Sequence, residues 1–168
     1  MIERLELLWN ATVIGVGATL FMDVWAVLQN RLLRTRSFDY ALLGRWFGHL
    51  VRGKFRHEGI AGAQRITAER AVGWAAHYLI GVSFAALLLG IWGVRWAREP
   101  SLGPALVVGM ATIVFPWLVL QPALGAGVAS SRMPQPNVAR LRSLVTHASF
   151  GLGLYLAARV VAVFGTIF

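Results

Sequence analysis

The sequence predicts an all-α polytopic membrane protein, a four-transmembrane-helix bundle with a cytoplasmic interfacial amphipathic helix. Three observations predict it. Hydrophobic residues make up 57% of the 168 and charged residues only 14%, against about 25% charged in an ordinary soluble domain. Four long stretches are almost free of charge, and fourteen of the sixteen Lys and Arg lie between them, as membrane topology requires. The net charge of +9 would suggest nucleic acid in a soluble chain. Here that distribution excludes a nucleic-acid partner and points to the lipid bilayer, with the basic loops facing anionic lipids. The absence of cysteine excludes disulfides, thiolate metal sites and cysteine nucleophiles.

A membrane helix needs about 20 mostly apolar residues. The first span is expected near residues 7–29, where only Asp23 interrupts the uncharged run. Its flank carries Glu3, Arg4 and Glu6, unlike the positive start of a signal peptide, so it reads as an anchor. Thr12, Thr19, Asp23 and Asn30 form a stripe at helical spacing. That stripe is expected to face the bundle interior, because a carboxylate facing lipid is costly.

An amphipathic helix is expected near residues 39–52. Leu42, Leu43, Trp46, Phe47 and Leu50 share one face, and Arg45, His49, Arg52 and Arg56 the other. Ser37 reads as its N-cap and Asp39 as a first-turn acid. Such a helix lies in the headgroup plane, with Arg45, Trp46, His49 and Arg52 at the membrane interface. The alternative is a helix packed under the bundle without touching lipid.

The remaining spans are expected near 71–93, 103–125 and 144–165, so that residues 1–168 form a single transmembrane domain. Pro116 and Pro122 should kink the third and free the carbonyls of Thr112 and Leu118. In the fourth, Ser149, Gly153 and Ala157 form a small-residue stripe suited to close helix packing, inside the chain or with a second copy in a homo-oligomer. The 31–70 connection holds nine Lys and Arg and the 126–143 connection three, twelve against four on the opposite side. Positive loops stay in the cytoplasm. Both termini are therefore expected outside, in a bacterial inner membrane.

Polar residues inside spans carry the functional reading, because the bilayer makes them expensive. Asp23, His77, Gln121 and His147 each come from a different span. At 1.5 Å per residue all lie roughly 6–10 Å from the cytoplasmic end. One carboxylate and two imidazoles facing one cavity suit a divalent metal or a proton relay, with Gln121 as orienting donor. A hydrogen-bond network that only fixes the bundle is the alternative. Glu69, Trp25 and Trp74 are secondary candidates.

The motifs around these residues carry a resemblance. Met22-Asp23-Val24-Trp25 ends the first span, and Glu69, Gly73-Trp74 and His77-Tyr78 open the second. Pro116-Trp117, Gln121-Pro122 and Gly125-Ala126-Gly127 close the third, and His147 and Phe150-Gly151 open the fourth. In this order they resemble a family of small bacterial membrane proteins catalogued as a domain of unknown function, number 2938. The resemblance covers nearly the whole chain and implies a polytopic inner-membrane protein. It carries over no activity and no functional residues.

Three functions follow. The first is a non-enzymatic bundle whose polar site binds or moves a proton, metal ion or small solute. The second is a structural or accessory subunit acting through helix–helix association. The third is a haem-binding protein or membrane enzyme, with His77 and His147 as axial ligands and Arg70 or Arg142 near the propionates. No nucleophile–base motif, phosphate loop or HExxH pattern supports an enzyme.

Overall fold

The computed structural model describes residues 2–34 and 37–165. Arg36, one of the nine bases counted above, lies outside the described residues. Helix α1 runs from Ile2 to Leu33, α2 from Tyr40 to Leu50, α3 from Glu69 to Trp92 and α4 from Arg95 to Arg98. Helix α5 covers Leu102–Ala111, α6 Gln121–Leu124 and α7 Pro136–Gly165. Short 3₁₀ turns cover Ile60–Gly62 and Val128–Ser130. Among the described residues there is no strand.

Four segments are long and apolar enough to cross a membrane: Glu3–Leu32, Glu69–Trp92, Leu102–Leu124 and Pro136–Phe164. One boundary departs most from expectation. Helix α7 starts at Pro136, eight residues before the expected 144, so Arg140 and Arg142 lie on a helix and not in a loop. A proline suits a first helical turn, where no N–H is needed. The third span is interrupted. Helix α5 ends at Ala111, and Pro116–Leu120 is wound as a π-turn before α6 resumes. A proline lacks the N–H that the carbonyl four residues back requires, and a wider turn absorbs the mismatch.

The chain divides into two compact units, one of residues 1–37, 78–112 and 146–168 and one of residues 38–77 and 113–145. The core of the first is Ala11, Ile14 and Ala18 of α1, Ala85, Leu88 and Leu89 of α3, Trp96 and Ala97 of α4, Ala105 and Val108 of α5, and Phe150, Leu154 and Ala158 of α7. Much of it is alanine, because the helices touch backbone to backbone. A Cβ on Gly15 would stand 2.5 Å from the Cα of Val82, and one on Gly109 would strike Gly151. Close approach through small residues is how helices associate where lipid removes the hydrophobic drive.

The small-residue stripe of α7 belongs to this framework. A Cβ on Gly153 would meet the carbonyl of Ala18 at 2.8 Å, and one on Gly17 the Cβ of Ala157 at 2.9 Å. The Ser149 hydroxyl donates to the carbonyl of Thr146 at 2.7 Å. Gly153 and Ala157 thus pack on α1 of the same chain.

The polar stripe of α1 is corrected. Thr19 is buried and Asp23 half-buried, but Thr12 and Asn30 are exposed. Both threonine hydroxyls bond the carbonyl four residues back, Thr12 to Leu8 at 2.7 Å and Thr19 to Gly15 at 2.8 Å. That internal bond lets a threonine face outward at little cost. Trp9 and Trp25 lie on the outer surface, 68% and 38% exposed. Sixteen residues, roughly 24 Å of helix, separate them.

Gly153→Leu should lower the melting temperature in detergent by about 3–10 °C through overpacking against Ala18 and Phe21. Gly90→Leu, where an added Cβ meets nothing within 4 Å, should change it little. Circular dichroism on both variants checks this.

Candidate functional site

In the unit of residues 38–77 and 113–145, polar side chains gather around α2. Asp39 caps the helix, its side chain accepting from the Ala41 N–H at 3.0 Å. The cap is Asp39 and not Ser37, because a carboxylate satisfies a first-turn N–H directly. Two glycines then let α2 lie against the start of α3. A Cβ on Gly44 would overlap the Glu69 carbonyl, and one on Gly73 the Tyr40 carbonyl.

That approach sets Arg45 beside Glu69. Nε donates to Oε2 and Nη2 to Oε1, both at 2.9 Å, in a two-pronged pair. The remaining Nη1 donates to the carbonyls of Ile60, Ala61 and Ala63 at 3.1, 2.8 and 3.3 Å. The Ile66 N–H donates to Glu69 Oε2 at 3.3 Å. The carboxylate raises the affinity of Arg45 for its proton above the ordinary arginine value, through the hydrogen bond first and against a desolvation cost. Such planar, two-pronged pairing is specific to arginine.

Two further donors of α2 hold the same connection. Trp46 Nε1 donates to the Phe55 carbonyl at 2.9 Å. His49 Nε2 meets the Gln64 carbonyl at 2.8 Å, and because a carbonyl only accepts, Nε2 carries the proton. Arg45, Trp46 and His49 are all buried. The expected headgroup-facing role of Arg45 and His49, and an acyl-facing Trp46, are therefore corrected. The three turn inward because the 51–68 connection offers carbonyls that need donors. Of the four residues assigned to the interface, Arg52 is exposed.

The expected span residues sit as follows. Asp23 interacts with the phenol of Tyr78. His147 Nδ1 lies 2.8 Å from the Thr112 hydroxyl, which itself donates to Gly109 O at 2.6 Å. With the hydroxyl proton committed to Gly109, Nδ1 is the donor to Thr112. These four residues belong to the unit of residues 1–37, 78–112 and 146–168.

In the other unit, His77 stacks on Tyr40, ring centroids 4.0 Å apart, and Trp74 packs against both rings. Gln121 Oε1 accepts from the buried Ser130 hydroxyl at 3.1 Å, and Gln121 Nε2 faces Ser143 Oγ at 3.5 Å. Gln121 thus ties the Val128–Ser130 turn to α7. Among the described residues, no three His, Asp or Glu side chains group so as to hold a metal ion. The divalent-metal reading of Asp23, His77 and His147 has no ligand set there.

His57 is the residue that sequence reading missed. It is 6% exposed, and among the described residues neither ring nitrogen has a hydrogen-bond partner. Its ring meets that of His49 edge to face, centroids 4.9 Å apart. Its backbone N–H donates to Ala123 O at 2.9 Å, and the chain here abuts Gly125, which ends α6 at φ 98°. A Cβ at 125 would collide with the Glu58 carbonyl, so glycine is needed twice over. Nothing in the local pattern marks His57, which stands between charged neighbours in a loop.

A family model described as "Protein of unknown function (DUF2938)" matches residues 12–161. The chain belongs to this family. The match includes Asp23, Arg45, Glu69, His77, Gln121 and His147, so the whole polar framework lies inside the DUF2938 region. No curated protein and no solved structure matches the chain.

Burial holds the His57 imidazole below the ordinary histidine range, with Lys54 and His49 adding to the effect. The unfolded loop therefore binds protons more readily than the folded one. The stabilisation is complete above about pH 6.5 and falls as pH drops from there towards the depressed folded value. Proteolysis between residues 51 and 64 should accelerate from pH 7.5 to pH 5.5. His57→Phe should flatten that dependence.

Proposed function

We propose that this DUF2938 member is a non-enzymatic protein of the bacterial inner membrane that binds or moves a proton or a small polar solute. The Asp23–Tyr78 pair is its ionisable centre. One observation carries the reading. Asp23 is the sequence's only carboxylate well inside an apolar run, since Glu3, Glu6 and Glu69 stand at run ends. It lies ten residues, roughly 15 Å, before the end of α1. A carboxylate at such a place marks a proton or solute pathway by default, because leaving it charged and unsolvated is expensive. Tyr78 supplies a hydroxyl beside that carboxylate, and His147 is a further titratable side chain in the same unit.

The basic connections face the cytoplasm and both termini face outward, on the twelve-to-four charge split. An impermeant maleimide that labels Gly59→Cys in intact cells contradicts this orientation.

A structural or accessory role is the second reading. The pairing of Thr112 with His147 and the internal packing of Gly153 and Ala157 favour it. Asp23→Asn separates the two, since it keeps the shape and removes the charge. In proteoliposomes carrying a pH dye, the wild type should pass or take up protons. The folded Asp23→Asn variant should lose at least about tenfold of that signal. Equal signals from both proteins leave the structural reading in place.

A further inference from the structure

We propose that residues 51–56 form a preorganised tip that seats in an anionic phospholipid leaflet. The end of α2 is closed by a Schellman turn. Gly53, at φ 78°, donates its N–H to Leu50 O at 2.9 Å, and Lys54 donates to His49 O at 3.0 Å. Beyond the turn, Trp46 Nε1 holds the Phe55 carbonyl, and the His57 N–H is fastened to Ala123. The segment is thus anchored by hydrogen bonds at both ends.

Among the described residues, the side chains that it displays have no hydrogen-bond or ion-pair partner. Val51 is 84% exposed and Phe55 65%. Arg52, Lys54 and Arg56 are exposed around them, with Glu58 the nearest acid in sequence. Two outward apolar side chains set among three bases match a bilayer boundary, where phosphates meet acyl chains. The connection that carries the tip begins and ends at membrane spans, Leu32 and Glu69, so a lipid surface is always at hand. Charge chooses the lipid. The three bases need anionic headgroups, and a neutral partner would leave them uncompensated.

The inward turn of Arg45, Trp46 and His49 is part of the same device. Those side chains hold the connection in shape, and lipid contact passes to the six residues that follow α2.

The chain has no cysteine, so a single nitroxide can be placed by substitution. The full-length protein is reconstituted in nanodiscs of phosphatidylcholine, with or without phosphatidylglycerol, carrying the label at Phe55→Cys or at the exposed loop position Gly59→Cys. With phosphatidylglycerol, the label at 55 should collide with oxygen more than with an aqueous nickel chelate, and the label at 59 the reverse. Adding Arg52→Gln, Lys54→Gln and Arg56→Gln should raise nickel access at 55 by at least about threefold.

Equal nickel access at 55 and 59 in both lipids overturns the proposal. So does protection at 55 that ignores both phosphatidylglycerol and the Gln substitutions. Protection that vanishes on dilution of protein into lipid assigns the tip to a second copy and also overturns it. Should Phe55→Cys fail to fold, Val51→Cys reads the same contrast.

Discussion

The pairing of Arg45 with Glu69 is the constraint on which the ordering of the longest connection depends. A guanidinium withdrawn from water must have its donors met, and a carboxylate alone cannot meet all five. Glu69 takes the Nε and Nη2 edge, and the carbonyls of Ile60, Ala61 and Ala63 take Nη1. The carbonyls gain a donor in the same act. Eighteen residues between α2 and α3, rich in glycine and charge, thereby acquire a defined path. Trp46 and His49 extend the same logic to Phe55 and Gln64. Gly44 and Gly73 make it possible, since any side chain there would push the two helices apart.

In the unit of residues 1–37, 78–112 and 146–168 a different physics holds. Large apolar residues such as Leu8, Leu20, Leu79 and Val160 point outward, while the interior is alanine, glycine and a few large side chains. A soluble protein would reverse that arrangement. Lipid solvates the outer side chains, and dispersion between closely set backbones holds the helices. Polar groups are tolerated there with a local partner: Thr19 on Gly15, Thr112 on Gly109 and His147, Asp23 on Tyr78.

The four apolar segments and the intervening short helix were legible because composition and period report burial in lipid directly. The break at Pro116 was legible for a similarly local reason. The start of α7 at Pro136 was not, because charged residues at 140 and 142 ended the apolar run without ending the helix. The α2 faces show a deeper limit. Arg45 and His49 look like a solvated face by period alone, and only the carbonyls of a distant loop turn that face inward. Glu69 stands out in the sequence as a secondary candidate opening the second span, but its partner lies 24 positions away. Asp23, His77, Gln121 and His147 were found by the cost of polarity in lipid, which marks residues but not partners. His57 carried no mark at all.

The central claim is that the Arg45 fork, and not its charge alone, orders the connection. Hydrogen–deuterium exchange on nanodisc-embedded wild type and Arg45→Lys tests it, because lysine keeps the charge and cannot bridge Glu69 and three carbonyls at once. The amides of Gly62 and Ala63, bonded to Gly59 O and Ile60 O at 3.1 Å each, are the reporters. The account predicts that in Arg45→Lys they exchange at least about tenfold faster, while amides of α1 from Ala11 to Ala18 keep their rates. Equal exchange at Gly62 and Ala63 in the two proteins would contradict it.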